Sequence, residues 1–187
     1  MDGTIADYVT AMHAAELTLM APGEEQRLTA EDEDKYPYVK ARRRLIKSQT
    51  DWWLNLGRIE RGFRVVKMME ELGFRITVLT RGPKPHPHAW SEKVRWVQKH
   101  LPTARTVVMD DEKAIVYGRV LMDDWVPYIE PWLAARPRGV VILPDQPWNQ
   151  GFTHPRVVRH TDNDEEVRVT LVSQRDRLLE SRDDDCD

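Results

Sequence analysis

Cysteine is nearly missing from this chain. Cys186 is the only one in 187 residues, and it sits in the acidic end Asp183-Asp184-Asp185-Cys186-Asp187. No internal disulfide and no cysteine-based zinc site can therefore form, and a reducing, cytoplasmic setting is expected. Long apolar runs are missing as well. Stretches such as Val140-Val141-Ile142-Leu143 fall far short of the ~20 residues a spanning helix needs, so no membrane partner is expected. The opening Met1-Asp2-Gly3-Thr4 carries no basic and apolar leader, so it does not read as a secretory signal. Charge of one sign is also lacking: 28 basic against 31 acidic residues give a net charge of −3. That balance provides no general electrostatic argument for a nucleic-acid or membrane partner.

What is present is enough for a core. Hydrophobic residues make up 41% of the chain, which excludes disorder of the whole, and the length suits one domain or one domain with a small insertion. Residues 7 to 20, rich in Ala, Met and Leu behind Asp7, read as a capped helix that Pro22-Gly23 ends. An acidic stretch, Glu24 to Asp34, precedes the basic run Lys40-Ala41-Arg42-Arg43-Arg44-Leu45-Ile46-Lys47. The plain reading is a solvated helical region with one apolar face; the other is a patch for phosphate or nucleic acid. Phe63, Val66, Met69 and Leu72 recur at helical spacing before Gly73, and Phe74 to Thr80 reads as a strand. Pro83, Pro85 and Pro87 mark a loop, after which Trp90, Val94, Val97 and Leu101 define another amphipathic helix. His86 and His88 have the look of a metal pair, but prolines on both sides of His86 favour a rigid loop. Three further apolar runs follow: Arg105 to Met109, Arg119 to Met122 and Gly139 to Leu143. Short strands alternating with helices predict an α/β fold with a doubly wound parallel sheet. The charged part from about Asp162 predicts a surface helix with a frayed tail.

Ligands of such sheets bind beyond the carboxyl ends of the strands. Thr80-Arg81-Gly82, Asp110-Asp111 and Asp123-Asp124 occupy those places. Adjacent carboxylates repel unless a cation or donors offset them, and hard oxygens suit magnesium; a solvated turn is the simpler alternative. Lys113 lies ten positions ahead of Asp123, and Lys93 follows Thr80 by thirteen. Each lysine alone reads as a surface residue. A hydroxyl and two ammonium groups beside paired carboxylates would together form a phosphate cradle.

Met1-Asp2-Gly3-Thr4, Thr80, Lys113 and Asp123-Asp124 occur in the order and spacing of four motifs, and on them the chain resembles the haloacid dehalogenase superfamily. Glu92-Lys93 with Trp96-Val97-Gln98-Lys99, Leu121-Met122-Asp123-Asp124 and Asp145-Gln146-Pro147-Trp148-Asn149 make it most similar to the 5′(3′)-deoxyribonucleotidase branch. The resemblance spans residue 1 to about 160. It implies a Mg2+-dependent phosphatase acting on a small phosphorylated substrate, a nucleotide above all, through an aspartyl phosphate. It further implies that Asp2 is the general acid and base and a metal ligand, with Asp123 and Asp124 as the other ligands. Thr80 and Lys93 would hold phosphate, with Arg81 as a further phosphate-binding candidate although it stands where relatives often have a small hydroxyl residue, and Lys113 would stabilise the nucleophile and the transferring group. By the same resemblance, residues 8–61 form a small helical cap, and residues 1–7 with 62–187 form the core. Trp52 and Trp53 are the cap residues best suited to touch substrate by stacking; packing within the cap is the alternative. Tyr36 and Tyr38 share that segment.

The family's nucleophilic Asp would precede Met1, together with a strand of roughly five or six residues. Two explanations stand: Met1 is internal to a longer natural chain, or the chain is natural and retains at most phosphate or metal binding. The first is expected, because a sheet without its middle strand leaves neighbours with unpaired amides. A catalytically silent nucleotide or phosphate binder is the alternative function. A nucleic-acid end as substrate, suggested by Arg42-Arg43-Arg44, is a third. The oligomeric state is not fixed by the sequence, and a homo-oligomer is compatible with it.

Overall fold

The Asp7 carboxylate accepts the Thr10 N–H at 3.1 Å and so starts the first helix by satisfying one of its orphan amides. The computed structural model describes residues 1–26, 31–110 and 112–183. Strand β1 (Ala6–Asp7) leads into α1 (Tyr8–Leu17), followed by α2 (Glu31–Lys35) and α3 (Pro37–Lys47). Strand β2 (Gly57–Arg58) then pairs antiparallel with β1 and closes this helical segment at its base. Helix α4 (Glu60–Glu71), β3 (Thr77–Arg81), α5 (Pro87–His100), β4 (Arg105–Met109), β5 (Val120–Met122), α6 (Val126–Ala135), β6 (Val140–Pro144), β7 (Val157–His160) and α7 (Asp164–Asp183) complete the order.

This is the α/β alternation predicted from the sequence, with parallel strands separated by helices. Apart from the β1–β2 pair, the strands fall into two hydrogen-bonded groups. β3 pairs with β4 in parallel, and β5, β6 and β7 pair in parallel in that order. Between β3 and β5 lies a cavity of about 170 Å³ whose walls include Ile76–Leu79, Val120–Asp123, Met1 and Val66. The Met1 ammonium reaches into the end of that slot and donates to the Leu79 carbonyl at 3.4 Å. Burial, with Lys113 adding, lowers this amino group to about 6 against the pull of Asp2, Asp123 and Asp124.

Three clusters of buried side chains hold the elements together. Met1, Ile5, Phe63, Val66, Val78, Trp96 and Val97 join α4 and α5 to the opening turn. Val65, Met68, Met69, Ile142, Val167 and Leu171 join α4 and α7 to the β6 group. Leu121, Ile129, Trp132 and Leu133 seat α6 on its other face. The surface helix expected towards the C-terminal end is α7, and Val167 and Leu171 are wholly buried, so one edge of it is core. Residues 184–187, with Cys186, and residues 27–30 and 111 lie outside the described residues. Among the described residues no helix is long and apolar enough to cross a membrane.

The basic run resolves residue by residue. Arg43 is buried and bonds Glu16 at 2.6 Å and Glu33 at 3.4 Å; Arg42 binds Glu24 at 2.8 Å. Arg44 points to solvent. His86 and His88 stand 5.9 Å apart at the start of α5, and burial with His88, Arg44 and Lys47 nearby lowers His86.

Candidate active site

The site is assembled at the carboxyl ends of β3 and β5 by the tight turn at residues 1–6. The Met1 carbonyl accepts from both Ile5 N (2.9 Å) and Ala6 N (3.1 Å), and Gly3 N donates to the Ala6 carbonyl at 3.0 Å. Gly3 takes φ of 71°, and a Cβ there would lie 2.4 Å from Asp124 Oδ2. Only glycine meets both demands without strain. The turn thus brings Asp2 and Asp124 onto one site, and the Thr4 hydroxyl donates to Asp124 Oδ1 at 3.1 Å.

Lys93, on the second turn of α5 and 1% exposed, is the centre of the cationic side. Its ammonium donates to the Asp2 carboxylate, to Thr80 Oγ at 3.3 Å and to the Arg81 carbonyl at 2.9 Å. Burial lowers the pKa of Lys93 and outweighs the opposing pull of Asp2. Burial would raise Asp2, yet Lys93 and the Met1 ammonium together hold it below the usual carboxylate range. Lys113, at the start of a 3₁₀ turn ahead of β5, donates to Asp123 Oδ2 at 2.5 Å and lies 4.4 Å from the centre of the Tyr128 ring. Asp123 Oδ1 accepts from Trp125 N at 3.1 Å. Burial first, then Asp123, raises Asp124 to about 6. Asp2, Thr80, Lys93, Lys113, Asp123 and Asp124 therefore stand together. The exposed Arg81 guanidinium forms no hydrogen bond or ion pair with a described residue; only its carbonyl joins the cluster.

Among the described residues, no group of three or more His, Cys, Asp or Glu side chains forms a ready cation cage. The donors nonetheless suit a hard cation. Asp2 Oδ1 is buried without a hydrogen-bond partner, and burial beside a second carboxylate raises the pKa of Asp124, a cost that a divalent ion would remove.

Several site residues escaped the sequence reading. Tyr8 packs at 5.5 Å from Trp52 and 5.7 Å from Trp53, which meet edge to face at 4.7 Å. The Trp53 ring lies 4.1 Å from Lys93 Nζ, so the aromatic group adjoins the cationic one. Trp53 is buried and Trp52 half-buried, as adjacent residues in a turn point apart. Behind Asp124, Trp148 Nε1 and Asn149 Nδ2 both donate to its carbonyl, at 3.2 and 3.0 Å, and Gln146 Nε2 donates to the Gly3 carbonyl at 3.1 Å. The signal for this loop was the Asp145-Gln146-Pro147-Trp148-Asn149 string itself. Tyr8 had none beyond its distance from Asp2.

Motif-bearing strand ends, a carboxylate pair with two buried lysines, and a helical insertion after the first turn define the haloacid dehalogenase type of α/β phosphatase fold. Over residues 1–174 the chain matches the model of the family described as 5′ nucleotidase, deoxy (pyrimidine), cytosolic type C protein, and it belongs to that family. A comparison with curated proteins finds no match.

Proposed function

We propose that the protein is a Mg2+-dependent phosphomonoesterase acting on a (deoxy)nucleoside monophosphate in the cytoplasm. The observation that carries this reading is the junction of two unlike surfaces at Lys93: a polar group with Thr80 and, across the carboxylates, Lys113, and an aromatic group (Tyr8, Trp52, Trp53). Phosphate would bind Thr80 and Lys93, with Arg81 near its outer oxygens, while the base stacks on the aromatic rings. Asp2 through its main-chain carbonyl, with Asp123 and Asp124, would hold the magnesium ion, which supplies positive charge to the phosphoryl oxygens. Residues 8–61 would act as the cap that excludes water, over a core of 1–7 and 62–187.

The covalent route needs a carboxylate two positions ahead of Asp2, on a segment preceding Met1 that would run as a strand in the slot between β3 and β5. The facing edges of β3 and β5, which pair with each other nowhere among the described residues and leave the cavity between them, support this. That carboxylate would form the O–P bond as the ester P–O bond breaks, and Asp2 would give its proton to the leaving oxygen. Water would then attack phosphorus and pass a proton to Asp2 as the carboxylate O–P bond breaks, which regenerates the carboxylate and frees inorganic phosphate. Asp2 must be protonated for the first step although Lys93 holds it ionised. Substrate phosphate, by drawing the Lys93 ammonium to itself, would weaken the largest of the charges that keep Asp2 low.

The nucleic-acid reading loses most of its basis, since Arg42 and Arg43 are engaged by carboxylates within the fold. The deciding experiment measures phosphate release from a deoxynucleoside monophosphate and from an aryl phosphate by protein carrying its upstream codons. Turnover is expected, falling about 10²-fold or more in Asp2→Asn and also lost in Asp123→Asn. No turnover at any magnesium concentration would overturn the enzyme reading and leave phosphate binding alone.

A further inference from the structure

Glu92 precedes Lys93 on α5 and is 3% exposed. It lies beside the site, yet none of the roles above uses it. Its Oε1 accepts the N–H of Asp51 at 2.8 Å, and its Oε2 accepts the N–H of Trp53 at 3.2 Å. One carboxylate therefore holds two alternate amides of the turn that carries Trp52 and Trp53. The turn is not one the chain adopts without cost. Asp51 sits at φ of 61°, in the left-handed region, and the Asn55 N–H closes back on its carbonyl at 3.0 Å. A charged acceptor shared by two amides fixes both the distance and the plane of such a turn.

Consecutive helical residues project about 100° apart. Glu92 thus reaches toward the helical segment and Lys93 toward Asp2 and Thr80. The same turn of α5 holds the aromatic group by one side chain and the phosphate donors by the next. We infer that Glu92 is a positioning residue: it sets the Trp52–Trp53 pair at a fixed span from Lys93, and so sets discrimination between a nucleotide and a base-free sugar phosphate. This rests on the nucleotide reading of the site. Arg95, 3.5 Å from the Asp51 carboxylate, braces the turn from the exposed side and leaves the two amides to Glu92.

Glu92→Gln keeps the shape and one acceptor but turns an amide NH2 toward one of the two N–H groups. Binding of deoxyuridine 5′-monophosphate and of 2-deoxyribose 5-phosphate is measured by calorimetry on wild type and variant, together with the far-ultraviolet exciton couplet of the indole pair. Trp52→Phe serves as the reference for a lost couplet. We expect the nucleotide Kd to rise about tenfold, the sugar phosphate Kd to stay within about twofold, and the couplet to weaken. Equal weakening of both ligands would overturn the proposal, since a purely structural role predicts it. An unchanged couplet would overturn it too. If wild type itself does not prefer the nucleotide, the nucleotide reading fails, and the inference about ligand discrimination falls with it. A couplet that still weakens in Glu92→Gln would then show that Glu92 positions the turn, so the two failures are told apart.

Discussion

The Lys113 ammonium and the Asp123 carboxylate meet at 2.5 Å with both side chains more than nine-tenths buried. Neither charge has water to fall back on, so each depends on the other. Lys113→Met is expected to cost about 3–5 kcal/mol in urea unfolding, because it strands a buried carboxylate. Adding Asp123→Asn to that variant should recover part of the loss, the two changes being strongly non-additive. Additive losses would mean that the pair does not act as a unit.

Asn149 saturates its amide. Nδ2 donates to the Asp124 and Pro144 carbonyls, both at 3.0 Å, while Oδ1 accepts from Gln146 N at 3.2 Å and Arg159 at 2.8 Å. Asn149→Asp keeps the shape but faces two carbonyls with an acceptor, and should destabilise by about 2–4 kcal/mol. The proposed phosphatase activity should fall further than stability explains, since the Asp124 main chain loses one of its two side-chain donors. Equal activity per folded molecule would contradict this.

Gly3→Ala adds a Cβ where Asp124 Oδ2 already lies and forces a left-handed backbone on a residue with a side chain. Thermal unfolding should show a loss of about 1–3 kcal/mol. If the proposed activity holds, the magnesium needed for half-maximal rate should rise, because the displaced carboxylate is one of the proposed ligands.

The three consecutive arginines should behave differently. Arg43→Met should cost about 3–5 kcal/mol by leaving Glu16 buried without its cation. Arg44→Ala should leave stability within about 0.5 kcal/mol. A nucleic-acid substrate would require Arg44→Ala to weaken oligonucleotide binding and reduce its salt dependence; filter binding at two salt concentrations is expected to show neither.

At the start of α7 a hydrogen bond from the His160 ring, 2.8 Å away, holds the Asp164 carboxyl below its usual value against slight burial, and Arg64 adds to the effect. A native pKa below the unfolded one means that the unfolded chain binds more protons in acid, so this contribution rises with pH. It is fully present above the unfolded carboxylate value and is lost as pH falls through the native one. Asp164 is partly exposed, so the contribution is at most about 1 kcal/mol. Asp164→Asn should flatten the acid limb of stability against pH by that amount; an unchanged limb would remove the His160 bond from the account.

Some of the fold was legible because the pattern was local. The strands near Arg105–Met109 and Val140–Pro144 are plain apolar runs, and α4 shows its face at helical spacing before Gly73. Others were hidden by local signals that tertiary packing overrides. Helix α6 contains Pro131 in its interior and Pro127 in its first turn, which reads as loop, yet Ile129, Trp132 and Leu133 bury it against β5 and β6. Strand β7 carries Arg159 and His160, whose polar groups are met by Asp145, Asn149 and Asp164 from elsewhere in the chain.

By itself the sequence determined which chemistry-bearing residue types stand at the ends of which strands: Thr80 after one, Asp123-Asp124 after another, and Asp2-Gly3-Thr4 as a turn. Spacing along the chain is enough for that, since strand ends follow from local apolar runs. Only the tertiary structure decided that Arg43 is core while Arg44 is solvent, that Tyr8 joins Trp52 and Trp53, and that Glu92 ties their turn to the helix bearing Lys93. Burial of a charge is set by the partner it finds across the fold, and that partner lies tens of residues away, where no local pattern reaches.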